Sequence, residues 1–124
     1  MPKPTVLIVD DDTKLREMYA DAFTLAGINV LQAANGVAGV ALALEHHPDA
    51  ILMDIMLPGI SGHESVTKIR ADSWGKRATI IYLTNMSDPE NVVHAIEKGS
   101  SEYIIKANTP PKEVVNKVRL AMRA

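Results

Sequence analysis

Three carboxylates stand side by side at Asp10, Asp11 and Asp12, directly behind the apolar run TVLIV. Adjacent like charges repel, and the apolar run leading into them points to burial, so the arrangement calls for a compensating cation. Three further apolar runs end on a chemically active residue: Asp54 in AILMDIMLPG, Thr84 in IIYLTN and Lys106 in YIIKAN. A hard divalent cation such as Mg2+ takes carboxylate and water oxygens. A hydroxyl and an ammonium group beside a metal-held carboxylate can hold the three oxygens of a phosphoryl group. Asp54 stands alone at the end of its run, before the turn LPGISG, and is the candidate nucleophile, able to accept a phosphoryl group as an aspartyl-phosphate.

These residues can meet only if the runs that carry them lie side by side. TVLIV, AILM, TIIYL and YII are short, rich in β-branched residues and apolar at consecutive positions, as strands buried on both faces of a parallel sheet are. INVLQA mixes polar and apolar positions and predicts a less buried, lateral strand. Helical patterns fill the gaps. Leu15, Met18, Tyr19, Ala22 and Leu25 or Ala26 mark the first helix, capped by Asp12 and stopped at Gly27. Val37, Val40, Ala41 and Leu44 mark a second, ended by Pro48. Ser61 and Glu64 form a possible capping box before Val66 and Ile69. Asp88, Pro89 and Gly99 bound a fourth helix. Thr109 opens a last one, carried by Val114, Val115, Val118 and Met122. Strand–helix alternation repeated five times predicts an α/β fold, a single doubly wound parallel sheet of five strands with helices on both faces. Ligands of such sheets bind at the carboxyl ends of the strands, where the acids, Thr84 and Lys106 stand.

The 124 residues suit one domain, spanning 1–124. A net charge of −2 argues against nucleic-acid binding through bulk charge. The absence of cysteine removes disulfides, thiolate metal sites and cysteine nucleophiles. No apolar run near the start is long enough for a signal peptide or a membrane span, and the expectation is a soluble cytoplasmic domain with no membrane contact.

The motifs VDD, MD…LPG..G, LT and YIIK, in this order over essentially the whole chain, resemble those of a response-regulator receiver domain of two-component signalling, with the single-domain chemotaxis type nearest in shape. Each motif is weak alone; four at consistent spacing are specific. The resemblance implies the flavodoxin-like strand order 2-1-3-4-5 with five helices. It implies Asp54 as the phosphoacceptor, Asp11 as a direct Mg2+ ligand, Asp10 as one acting largely through water, and the backbone carbonyl of Met56 as the remaining protein ligand. It implies that Thr84 bonds the phosphoryl oxygen, that Lys106 pairs with it, and that Tyr103 turns inward as the switch when Thr84 moves. Pro58, Gly59 and Gly62 match the loop after the acceptor. The donor is then a phosphohistidine of a histidine kinase or phosphotransfer domain, and a downstream protein or fused output domain reads the surface of the fourth helix, fifth strand and fifth helix. Such a domain is not an enzyme beyond its own phosphoryl transfer and slow autodephosphorylation, and makes no direct nucleic-acid contact.

The chain departs from the family pattern at Ala107, where proline usually follows the lysine, and at Asn85, where the residue is usually small and where its bulk narrows access for phosphodonors. A cis bond to alanine costs about 3 kcal/mol, so the loop at Ala107 is either trans and rearranged or strained and held. Other conspicuous residues have plainer readings: His46 and His47 as a solvated helix end, His63 and His94 as helix-surface residues, Trp74 as local loop packing, and Met18, Met53 and Met122 as core. Two rival functions are a haloacid-dehalogenase-like phosphatase, with Asp10 as nucleophile and Asp12 as acid/base, and a degenerate receiver that binds partners without phosphorylation. The first lacks the expected hydroxyl residue at Lys14 and a late acidic pair; the second has only Ala107 and Asn85 for support.

Met56 and Met86, two residues beyond Asp54 and Thr84, are bulky, apolar and unable to orient water. The phosphorylated chain is therefore expected to lose phosphate slowly, and a half-life of only seconds without added phosphatase, followed by intact mass, contradicts this.

Overall fold

The computed structural model describes residues 3–84, 102–105 and 109–123, without the side chains of residues 84, 102–105 and 123. In chain order the elements are β1 (Thr5–Val9), α1 (Thr13–Leu25), β2 (Asn29–Ala33), α2 (Gly36–His46), β3 (Ala50–Asp54), α3 (Gly62–Arg70), a 3-10 turn (Gly75–Arg77), β4 (Ile80–Thr84), β5 (Glu102–Ile105) and α4 (Pro111–Arg123). The helix expected between Asp88 and Gly99 lies outside the described residues, as does His94, so the last predicted helix is α4 here.

The strands pair in parallel in the order β2-β1-β3-β4-β5. The chain steps outward from β1 to β2 and then returns across β1 to β3, so the order reverses between β1 and β3. Consecutive apolar residues place successive side chains on opposite faces. Val6, Ile8, Leu52, Ile81 and Leu83 pack with Tyr19 and Phe23 of α1 and Val114, Val115 and Val118 of α4. Leu7, Val9, Ile51, Met53, Ile80 and Tyr82 pack with Ala43 of α2 and Val66 and Ile69 of α3. Among the described residues, two helices therefore pack on each face. β2, paired only with β1 among the described strands, is less buried along its length than β1, β3 or β4, as its mixed sequence predicts.

The local signals hold at most helix ends. Asp12 Oδ1 accepts from the Leu15 backbone N–H at 3.1 Å. Gly27, at φ +81°, carries the chain out of α1 in a conformation that favours glycine. The Ser61–Glu64 capping box closes in both directions. α4 starts one residue later than predicted: Pro111 takes the first helical position, while the Pro110 carbonyl accepts from the Glu113 and Val114 N–H groups.

Helix faces differ from the sequence reading in three places. In α1 the buried residues are Tyr19, Ala20 and Phe23, while Met18 is 44% and Leu25 89% exposed. In α2 the inward face is Gly36, Gly39 and Ala43, and the larger Val37, at 67%, faces solvent with Leu44. The reason is close approach: a Cβ at Gly39 would lie 2.7 Å from a Val9 methyl, and one at Gly36 would overlap the Ser65 hydroxyl. Small residues let α2 sit on β1 and α3 at a distance no valine allows. His63 is not a surface residue; it is half-buried, with its ring centroid 5.1 Å from that of Tyr82. Met53 is buried and Met122 packs at the core margin. Trp74 is a packing residue as expected, stacked on the exposed His47 at 4.4 Å and 8°. No described helix is long and apolar enough to cross a membrane.

The α2 packing is tested by a pair of variants. Val37→Ser is expected to change stability by less than about 0.5 kcal/mol, whereas Gly39→Val is expected to cost about 1–3 kcal/mol through overpacking against Val9; denaturant titration separates them. A pH dependence follows from Tyr82, whose hydroxyl is buried without a hydrogen-bond partner among the described residues. Burial pushes its phenol above the ordinary value, with the Arg70 guanidinium a smaller opposing influence. The folded chain thus holds this proton more tightly than the unfolded chain, so Tyr82's contribution is complete below about pH 10 and declines as pH rises further. Tyr82→Phe is expected to leave neutral-pH stability within about 1 kcal/mol and to lessen the alkaline decline in melting temperature.

Candidate functional site

Three acids meet where the strand order reverses. Asp10 immediately follows β1 and is fully buried; its N–H donates to the Ala33 carbonyl at 3.1 Å, continuing the ladder with β2 by one residue. Its Oδ1 accepts from the Asp12 N–H at 3.0 Å. Asp11 is exposed beside it. Asp54 is the last residue of β3, 6% exposed, with Oδ1 accepting from the Met56 N–H at 3.2 Å. One carboxylate oxygen from each of Asp10, Asp11 and Asp54 lies within 4.8 Å of the other two.

This donor set fits Mg2+. All the side-chain donors are hard oxygens, and two of the three carboxylates are buried, where uncompensated charge costs several kcal/mol per ion. Opposite ligands of an Mg2+ octahedron are about 4.2 Å apart and adjacent ones about 3 Å, so oxygens within 4.8 Å of one another can share one ion directly or through an intervening water. Asp12 is not part of this group: its carboxylate is the α1 cap.

The loop after Asp54 runs tight against the strand it leaves. The Gly62 N–H donates to the Ile55 carbonyl at 3.0 Å, and a Cβ at Gly62 would overlap the Asp54 carbonyl oxygen. Gly62 thus lets α3 begin directly against the acceptor's backbone. The Met56 side chain is 66% exposed while its N–H is held by Asp54. Thr84 ends β4, one residue past Leu83, the register partner of Asp54. Tyr103 lies in β5 opposite Tyr82. Lys106, Asn85, Met86 and Ala107 lie outside the described residues, as do the side chains of Thr84 and Tyr103.

Sequence reasoning missed Arg16. Its Nη1 donates to the Asp10 carbonyl at 2.7 Å and its Nε to Gln32 Oε1 at 3.1 Å. Nothing in the local pattern singles out this arginine, because one exposed edge-strand glutamine and one backbone carbonyl leave no signature in sequence.

Comparison with known proteins agrees with this geometry. Residues 6–119 match the response regulator receiver domain family. The phosphate regulon transcriptional regulatory protein PhoB of Pseudomonas aeruginosa is 37% identical over 119 residues, 96% of this chain and 52% of that protein. The chain spans about half the length of curated relatives such as this one. Among solved structures, the chemotaxis protein CheY4 of Vibrio cholerae superposes with a TM-score of 0.91 at 28% identity, covering 97% of this chain and 99% of that one. The receiver domain of the sensor histidine kinase PA1611 of Pseudomonas aeruginosa, solved with a magnesium ion coordinated in its active-site cleft, gives 0.90 at 25% identity over 99% of this chain and 100% of that one. The acid cluster, the parallel sheet that carries it and the match across residues 6–119 lead to one assignment: the chain belongs to the response regulator receiver domains of two-component signalling.

Proposed function

We propose that residues 1–124 form a receiver domain with the five-strand, five-helix complement that the sequence pattern implies, and that it accepts a phosphoryl group on Asp54 in the presence of Mg2+. The observation that carries this reading is the meeting of Asp10, Asp11 and Asp54 at the switch point between β1 and β3. The magnesium-bound PA1611 receiver domain supports it by likeness.

In the proposed reaction a carboxylate oxygen of Asp54 attacks the phosphorus of a phosphohistidine on a histidine kinase or transfer domain. A P–O bond forms, the P–N bond breaks, and the imidazole nitrogen leaves with the electron pair. Asp11, Asp54 and the Met56 backbone carbonyl would hold Mg2+ directly and Asp10 largely through water, and the ion would supply charge shielding there. Asp10 is held for this by the Asp12 and Ala33 backbone groups, and Asp54 by the Met56 N–H. Thr84 and Lys106 are the proposed partners of the phosphoryl oxygens, and Asn85 restricts entry beside them. Positioning and charge compensation, rather than turnover of a separate substrate, are the chain's part in the chemistry.

Phosphorylation adds about −1.5 to −2 charge and three acceptor oxygens. Thr84 moves toward them, Tyr103 turns inward, and the surface of β5 and its flanking helices changes shape for a downstream protein or output domain. A few kcal/mol of differential stabilisation suffice for such a population shift. The domain's own partners are then proteins in the cytoplasm, and it makes no direct contact with nucleic acid. The phosphatase scheme is disfavoured because Asp12, its acid/base, is occupied as a helix cap.

Incubation with a small-molecule phosphodonor and Mg2+, read by intact mass, tests the proposal. The unaltered chain is expected to gain one phosphoryl group, and Asp54→Asn or chelation of Mg2+ to reduce the adduct to background. An adduct that survives Asp54→Asn but not Asp10→Asn points to the phosphatase scheme. No adduct on the unaltered chain leaves a phosphorylation-independent binding module.

A further inference from the structure

Asp10 to Asp12 form the most strongly self-repelling segment of the described chain, and one cation is seen to grip its backbone. The Arg16 guanidinium, part-buried on the first turns of α1, donates through Nη1 to the Asp10 carbonyl at 2.7 Å. Through Nε it donates to Gln32 Oε1 at 3.1 Å, and Gln32 lies on β2 opposite Ile8 of β1. Its own N–H donates to the Asp12 carbonyl at 2.9 Å. Arg16 therefore ties the start of α1, the end of β1 and the edge strand to the residue whose carboxylate is buried in the acid cluster. A planar guanidinium can reach two acceptors at fixed angles, and a lysine ammonium cannot reproduce that fork. A charge-assisted bond to a carbonyl is also stronger than a neutral one.

We propose that Arg16, oriented by Gln32, is a positioning residue for divalent-cation binding: it fixes the Asp10 carbonyl and so the direction in which the Asp10 and Asp11 carboxylates leave the chain. The proposal rests on the reading of the acidic site as an Mg2+ site. Charge and geometry make opposite demands here. As a bare positive charge, Arg16 repels an incoming cation, and its removal tightens binding. As a clamp, it preorganises the ligands, and its removal weakens binding. Hydrogen-bonded groups behind metal ligands typically contribute about tenfold or more to affinity, and Arg16 acts in that way through the Asp10 main-chain carbonyl rather than through the carboxylate itself.

Calorimetric titration with MgCl2, alongside the melting temperature of each protein without Mg2+, decides the matter. Arg16→Gln is expected to weaken Mg2+ binding about tenfold. Arg16→Lys is expected to recover only part of that loss, and Gln32→Leu, which keeps the charge but frees the fork, to weaken binding by a smaller factor. An unchanged constant in Arg16→Gln with a lowered melting temperature makes Arg16 a structural contact and overturns the proposal; a tighter constant makes it a competing charge and also overturns it. Where Arg16→Gln lacks the far-ultraviolet circular dichroism of the unaltered chain, Gln32→Leu decides, because residue 32 is exposed, and an unchanged constant there overturns the proposal. Absence of Mg2+ binding by the unaltered chain overturns the metal-site reading itself, which separates the two failures.

Discussion

Carboxylates in close company at the edge of an apolar sheet are the constraint on which this domain is built. Asp10 and Asp54 are among the few polar side chains the described core encloses, and they end adjacent strands. Their repulsion, and the loss of water around them, oppose the fold at that edge. Every neighbouring element bears on that opposition. The ladder extends past β1 to hold the Asp10 N–H, the next turn sends the Asp12 N–H back to the Asp10 carboxylate, and the loop after β3 sends the Met56 N–H to Asp54. Backbone dipoles and one guanidinium hold the acids in place, and the remaining imbalance suits a divalent ion.

The surrounding architecture explains why the edge can bear this load. Buried strands with apolar side chains on both faces, covered by α1 and α4 on one side and α2 and α3 on the other, leave little freedom at the strand ends. Glycine lets these elements approach closely: a side chain at Gly39 would collide with Val9 of β1, one at Gly62 with the Asp54 carbonyl of β3, and one at Gly36 with Ser65 of α3. The close seating of α3 begins at the acceptor's own backbone. Shape at the site and packing beneath it are thus one structure.

Much of this was legible in sequence, and what was not has physical causes. Strands declared themselves because a chain buried on both faces is apolar at consecutive positions, as 6–9 of β1 and 50–53 of β3 are. Their ends gave Asp10, Asp11 and Asp54 because a strand end is the one place where such a run changes character. Helix faces were harder. In α2 the pattern of large apolar residues pointed to Val37 and Leu44, yet glycine and alanine face inward, since distance between elements is set in three dimensions and not by hydropathy. Met18 was lost in the same way to Tyr19, Ala20 and Phe23. His63 read as polar and outward, although its imidazole meets the Tyr82 ring at a tilt of 52°. Arg16 was invisible because its partners are a carbonyl and an edge-strand amide far away along the chain.

The chain contains a single tryptophan, and it lies at the wrong end of the sheet to watch the acids. Trp74 falls between the close of α3 and the start of β4, packed on His47 at the finish of α2, so it sits by the amino-terminal edge of the strands, whereas Asp10 and Asp54 crown the opposite edge. Ultraviolet emission from this indole consequently reports the loosening of that lower corner and is nearly blind to whatever arrives at the upper rim. A fluorophore able to see events there has to be introduced, and the solvent-facing side chain of Met56, next to the acceptor, marks a natural place for it.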